Sequence, residues 1–210
     1  MTIDRHMEDP AVPPRPPRPI SMPSAGPQGQ PGALRPARLS ILPVVLSALA
    51  LAAIFAATHL LPIPGGKKSV TAAITEGRLF DQSPSFDPAE VLARIDGFGE
   101  QGRAVYRVMM YSGDFAFPLA ILALFLLTTR HLRLTGRPKR LPQVAAGLAV
   151  GFFCADMAEN AIIFHLLGVF PETSATASVL GIVTTVKFAL LAGAVLALAL
   201  SAVGGAVRRT

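Results

Sequence analysis

Four runs of about 20 mostly apolar residues dominate this chain, each long enough to cross the hydrocarbon core of a bilayer as a helix. They fall at about residues 39–61, 107–128, 143–168 and 175–203. Inside lipid a backbone must satisfy its own hydrogen bonds, so each run is read as an α-helix. The fold class that follows is all-α, a four-helix transmembrane bundle. Only 15% of the residues are charged, against about 25% in soluble domains, and few of the charges fall within the four runs.

The basic residues set the expected topology. Arg35 and Arg38 precede the first run, Arg130, Arg133, Arg137, Lys139 and Arg140 crowd the short second connection, and Arg208 and Arg209 follow the last run. Four crossings bring these clusters to one side, the cytoplasmic side by the positive-inside rule. The lipid bilayer is then the partner that the net positive charge addresses. Nucleic acid is not expected, because the segments between the basic clusters are apolar.

Residues 1–38 are rich in Pro, Arg, Gly and Ser, and such a segment buries too little apolar surface to offset its chain entropy. It is expected to be a disordered cytoplasmic tail, with residues 204–210 a second short one. No cleavable signal sequence and no lipidation motif are expected, so the first apolar run stays in the membrane. The transmembrane domain covers residues 39–203. Its outer loop, residues 62–106, holds one short amphipathic helix. Asp87 and Pro88 form its start, Glu90 is the acid of a capping box, Val91, Leu92 and Ile95 share one side, and Gly97 and Gly99 end it. Tyr106 and Tyr111 suit a membrane interface.

The single cysteine, Cys154, excludes an internal disulfide and a dithiol redox centre, and its apolar surroundings suggest a buried small hydrophobe. His59 and His165 both lie near outer helix ends, but no haem attachment motif and no metal-ligand spacing accompany them. No cofactor and no metal are expected. Small residues recur at four-residue spacing, as Gly147, Gly151 and Ala155 on the third run and Ala189, Gly193, Ala197 and Ser201 on the fourth. Such rows let helices approach closely, within one subunit first and between copies of a homo-oligomer as the alternative.

The chemistry is concentrated in a few ionisable residues within the runs: Asp114, Asp156, Glu159 with its neighbour Asn160, and Lys187. A charge at the bilayer centre costs about 2.5–3.5 kcal/mol on insertion scales, so these side chains are expected to face the bundle interior and pair. Counting helical rise places them at overlapping depths, and Asp156, Glu159 and Asn160 share one helix face. Three acids face one amine. The surplus must be protonated, hydrogen-bonded, hydrated or bound to a cation. Pro118 lacks the N–H that would reach the Asp114 carbonyl, which is thereby freed at the level of the cluster. In transporters such freed carbonyls coordinate ions; elsewhere water or a neighbouring side chain satisfies them.

The segment AEVLARIDGFGEQGRAVYRVMMYSGDFAFP, with DMAEN and TTVKF further on, resembles a family of small bacterial four-helix integral membrane proteins of uncharacterised function. The shared pattern is G-E-x-G-R-x-x-Y leading into D-F-x-x-P, then D-x-x-E-N and a late lysine, over about residues 85–190. The resemblance implies a bacterial cytoplasmic membrane and a common polar core. It adds Glu100, Arg103 and Tyr106 to the candidate site residues, with Arg103 either a second cation near the cluster or a partner of Glu100. Two functions remain open. The cluster is a site for a proton, a cation or a small polar ligand, or it is helix glue in a non-catalytic assembly protein. No nucleophile or metal constellation supports an enzyme.

Overall fold

The computed structural model describes residues 41–135, 140–172 and 174–204; the expected tails and part of the basic loop lie outside them. The described residues are helical and form no strand. Four stretches are long and apolar enough to cross a membrane: Leu42–Leu60, Gly99–Leu134, Arg140–Val169 and Ala175–Val203.

Helix α1, Leu42–Phe55, has a proline in its first turn, is apolar all round and buries no residue within the chain. It packs beside the helix Gly113–Leu134 (α5) at one edge of the bundle. It closes in a π-helical turn, Ala56–Leu60, before Leu61 turns extended and Pro62 and Pro64 prevent further helix. Helix α5, Gly113–Leu134, packs on α6, Arg140–Val169, and α6 makes the most extensive contact in the chain with α7, Leu180–Gly204. A 3₁₀ turn, Ala175–Val179, leads into α7.

The second span differs from the expected single helix over 107–128. Helix α4, Gly99–Met110, ends at Tyr111 and Ser112, and α5 starts afresh at Gly113 and runs on to Leu134. The Ser112 hydroxyl turns back to the Val108 carbonyl at 2.6 Å. A side chain at Gly113 would stand 2.4 Å from the Gly65 carbonyl oxygen, so the close passage of that loop requires glycine. The chain breaks here, upstream of Pro118, which α5 accommodates in its interior.

The region expected as a loop with one helix is a compact cap. It comprises α2, Lys67–Ala73, α3, Pro88–Gly97, and α4. Val70, Leu79, Phe80, Val91, Ile95 and Phe98 are fully buried there. They join Ile163, Leu166 and Leu167 of α6 and Leu180 of α7 in one cluster, so the cap is welded to the bundle's end. The start of α3 is as expected, with Asp87 accepting from the Ala89 amide at 3.0 Å and Pro88 following. Glu90 does not complete a capping box. It accepts instead from the Ser85 hydroxyl at 2.7 Å and pairs with Arg94, and these two contacts, Ser85 foremost, hold its carboxyl below the usual range.

Two smaller expectations also change. Tyr106 is buried in the cap core while Tyr111 is exposed, so only the latter is free to meet an interface. The Cys154 thiol points outward from α6 and is exposed. The small-residue rows do not follow the packed faces. Gly147 and Ala189 are exposed, whereas Gly151 meets Leu190, and Ala197 and Ser201 are buried. Four residues turn a helix about 40° past a full circle, so a row at that spacing winds from outside to inside.

Candidate functional site

A cavity of about 140 Å³ lies where the cap meets the bundle. Helix α6 sends Asp156, Glu159 and Asn160 into it, α7 sends Lys187, and the first turn of α5 supplies Asp114. These are the five residues expected to form the polar cluster. Tyr106 of α4 also lines the cavity. Glu100 is exposed on the cap, and Arg103 lies 4.4 Å over the Phe170 ring while donating to the Ile95 carbonyl at 3.2 Å. Arg103 thus neither lines the cavity nor pairs with Glu100.

The five residues form two unlike groups. The first is saturated. The Lys187 ammonium bonds to Glu159 and lies 3.1 Å from Asp156, and the Thr184 hydroxyl donates to the other Glu159 oxygen. Asn160 reaches Asp156 at 3.5 Å. Glu159 is 1% exposed and Lys187 5%, so this is a desolvated staple between α6 and α7. Their positions, three residues apart on each helix (156/159 and 184/187), put both partners on the facing sides.

The second group is open. The Asp114 carboxylate has no hydrogen-bond or ion-pair partner among the described residues, although its side chain lines the cavity. Its backbone is better provided for. The carbonyl freed by Pro118 accepts from the Asn160 side chain at 3.1 Å. Pro118 therefore leaves no bare carbonyl for an ion, and α5 is tied to α6 instead.

Two further residues join the site that sequence reasoning did not assign to it. Asp81, from the segment between α2 and α3, binds Lys67 at 2.7 Å through one oxygen and leaves the other buried without a partner. His59, on the π-helical turn, stacks on Phe55 and meets Phe117 at a tilt, each 4.7 Å away between ring centres. Its Nδ1 lies 2.8 Å from the Thr58 hydroxyl. The same ring borders a surface groove of about 610 Å³ lined by Lys67, Thr71 and Gln82. No periodicity marks Asp81, which lies in irregular chain. His59 carried one sequence signal, a ring nitrogen at the end of an apolar span. His165 is exposed and pairs with Ser174 at 3.2 Å, away from this cavity.

Size and donors limit what the cavity can take. At about 30 Å³ per water it holds roughly four or five waters, far below the 300–1,000 Å³ of sites for drug-sized ligands. Among the described residues no three His, Cys, Asp or Glu side chains converge as a metal set. No protein-family model matches this chain, and neither a curated protein nor a solved structure does.

Proposed function

We propose that the cavity is a binding site for a proton or a small monovalent cation in a multi-pass protein of the bacterial cytoplasmic membrane. The observation that carries this reading is the unpartnered Asp114 carboxylate facing a water-sized cavity. The surrounding charges support it. Asp81, Asp114, Asp156 and Glu159 face two ammonium groups, Lys187 and, through Asp81, Lys67. A buried anionic surplus is costly until a cation or proton joins it. Asp114 is the acceptor, Asp81 offers its free oxygen beside it, and His59 is the shared wall between the cavity and the surface groove. The positive-inside reading puts both chain ends in the cytoplasm and the cap outside, so the ligand enters from the cap side.

The competing role, helix packing without a ligand, is favoured by one observation, the saturation of Glu159 by Lys187 and Thr184. Both roles fit one site when divided between its halves. The test uses the full chain in lipid nanodiscs, with acid or sodium added and the carboxyl groups followed by infrared difference spectroscopy. The expected result is a difference band that disappears in Asp114→Asn and survives in Glu159→Gln. An unchanged spectrum in a helical Asp114→Asn protein refutes the site.

A further inference from the structure

The far end of α5 carries a second polar cavity, independent of the first. Thr129 lies 15 residues beyond Asp114, about 22 Å along the helix. A groove of about 420 Å³ opens there between α5 and α6, lined by Leu126, Thr129, Arg130, Arg133 and Leu134 from one face of α5 and by Ala146 from α6.

Three features of this groove point to one ligand chemistry. First, Arg130 and Arg133 have no carboxylate partner among the described residues. Guanidinium forks match phosphate oxygens. Second, Thr129 is 4% exposed and its hydroxyl has no hydrogen-bond partner among the described residues. Helical threonines usually turn back to the carbonyl four residues earlier, as the buried Thr58 does here. The Thr129 hydroxyl makes no such bond; its oxygen is buried, and the residue forms part of the groove's lining. Third, Leu126 and Leu134 flank the groove and are 42% and 49% exposed. On a membrane-spanning helix those side chains meet acyl chains. A ligand that suits two guanidiniums, a hydroxyl and an apolar flank carries an anionic phosphate on a hydrophobic body.

We propose that this groove holds the phosphate of an anionic phospholipid, with Arg130 and Arg133 on its oxygens and Thr129 completing the contact. Basic recesses between membrane helices commonly receive such headgroups. The groove commits to lipid over soluble phosphate because its walls are apolar on the membrane flank.

The full chain, purified and placed in phosphatidylcholine nanodiscs, is exposed to phosphatidylglycerol, to more phosphatidylcholine, or to inorganic phosphate. Native mass spectrometry then counts retained lipid. The expected result is selective retention of phosphatidylglycerol. The double variant Arg130→Gln, Arg133→Gln weakens it at least about tenfold, and Thr129→Val, which changes no charge, about two- to tenfold. Arg140→Gln, an exposed arginine outside the groove, leaves retention unchanged. Equal retention of both lipids, an equal loss from Arg140→Gln, or displacement of the lipid by inorganic phosphate overturns the proposal. Should the arginine pair fail to fold, Thr129→Val decides alone, and no effect from it also overturns the assignment.

Discussion

Replacing Lys187 by methionine tests the staple between α6 and α7 most directly. The substitution keeps the length and the apolar stem and removes only the charge. Lys187, Asp156 and Glu159 have side-chain exposures of 6%, 11% and 1%, so the ammonium lost is almost wholly desolvated and leaves two buried carboxylates behind. Removing one partner of such a pair costs about 3–5 kcal/mol. Ordinary interhelical hydrogen bonds in membranes average about 0.6 kcal/mol and reach about 1.7. The two scales separate an ion pair from a polar contact. We expect Lys187→Met to lower unfolding free energy by about 3–5 kcal/mol, measured by SDS titration in mixed micelles with circular dichroism. Glu159→Gln in the same chain should restore part of the loss, because Thr184 can still donate to the amide oxygen. The coupling between the two changes should exceed about 1.7 kcal/mol. A coupling near 0.6 kcal/mol would show that the carboxylates are relieved by water and would refute the desolvated staple.

Asn160→Ala should cost about 1–3 kcal/mol by stranding the Asp114 carbonyl, and about 1 kcal/mol less in a Pro118→Ala background, where a backbone N–H returns to that carbonyl; equal costs in both backgrounds would contradict the proposed tie. Glu90→Gln should lower the melting temperature at about pH 7, because the depressed carboxyl contributes fully above its unfolded value of about 4.3. That difference should fade as the pH falls through the folded value, and a gap that persists unchanged in acid would remove Glu90 from the account.

The bundle was readable in the chain because lipid imposes a length and a composition on every span, and few sequences satisfy both by accident. The five polar residues stood out for the same reason, as charges in segments that exclude them. Their partition did not. Nothing in the order of residues says that Lys187 serves both Glu159 and Asp156 and leaves Asp114 alone; that depends on the rotation of α7 against α6. Pro118 signalled a freed carbonyl but not the side chain that takes it, and the actual break, at Tyr111 and Ser112, answers to the passage of Gly65 some 48 residues away in sequence. The cap was harder still. Lys67 and Asp81 meet across irregular chain, and α2 is only seven residues long, too short to display a period.

The shared core of cap and helix ends has a consequence for how the chain is made. Phe98 leaves the ribosome 82 residues before Leu180, yet the two lie in one buried cluster. At about 5–20 residues per second the interval is roughly 4–16 s. Through that time the cap has its inner surface uncovered, and it cannot close until the last two long helices have been made. The order of synthesis thus runs opposite to the order of consolidation, and the final pair of helices acts as the keystone for the part translated first.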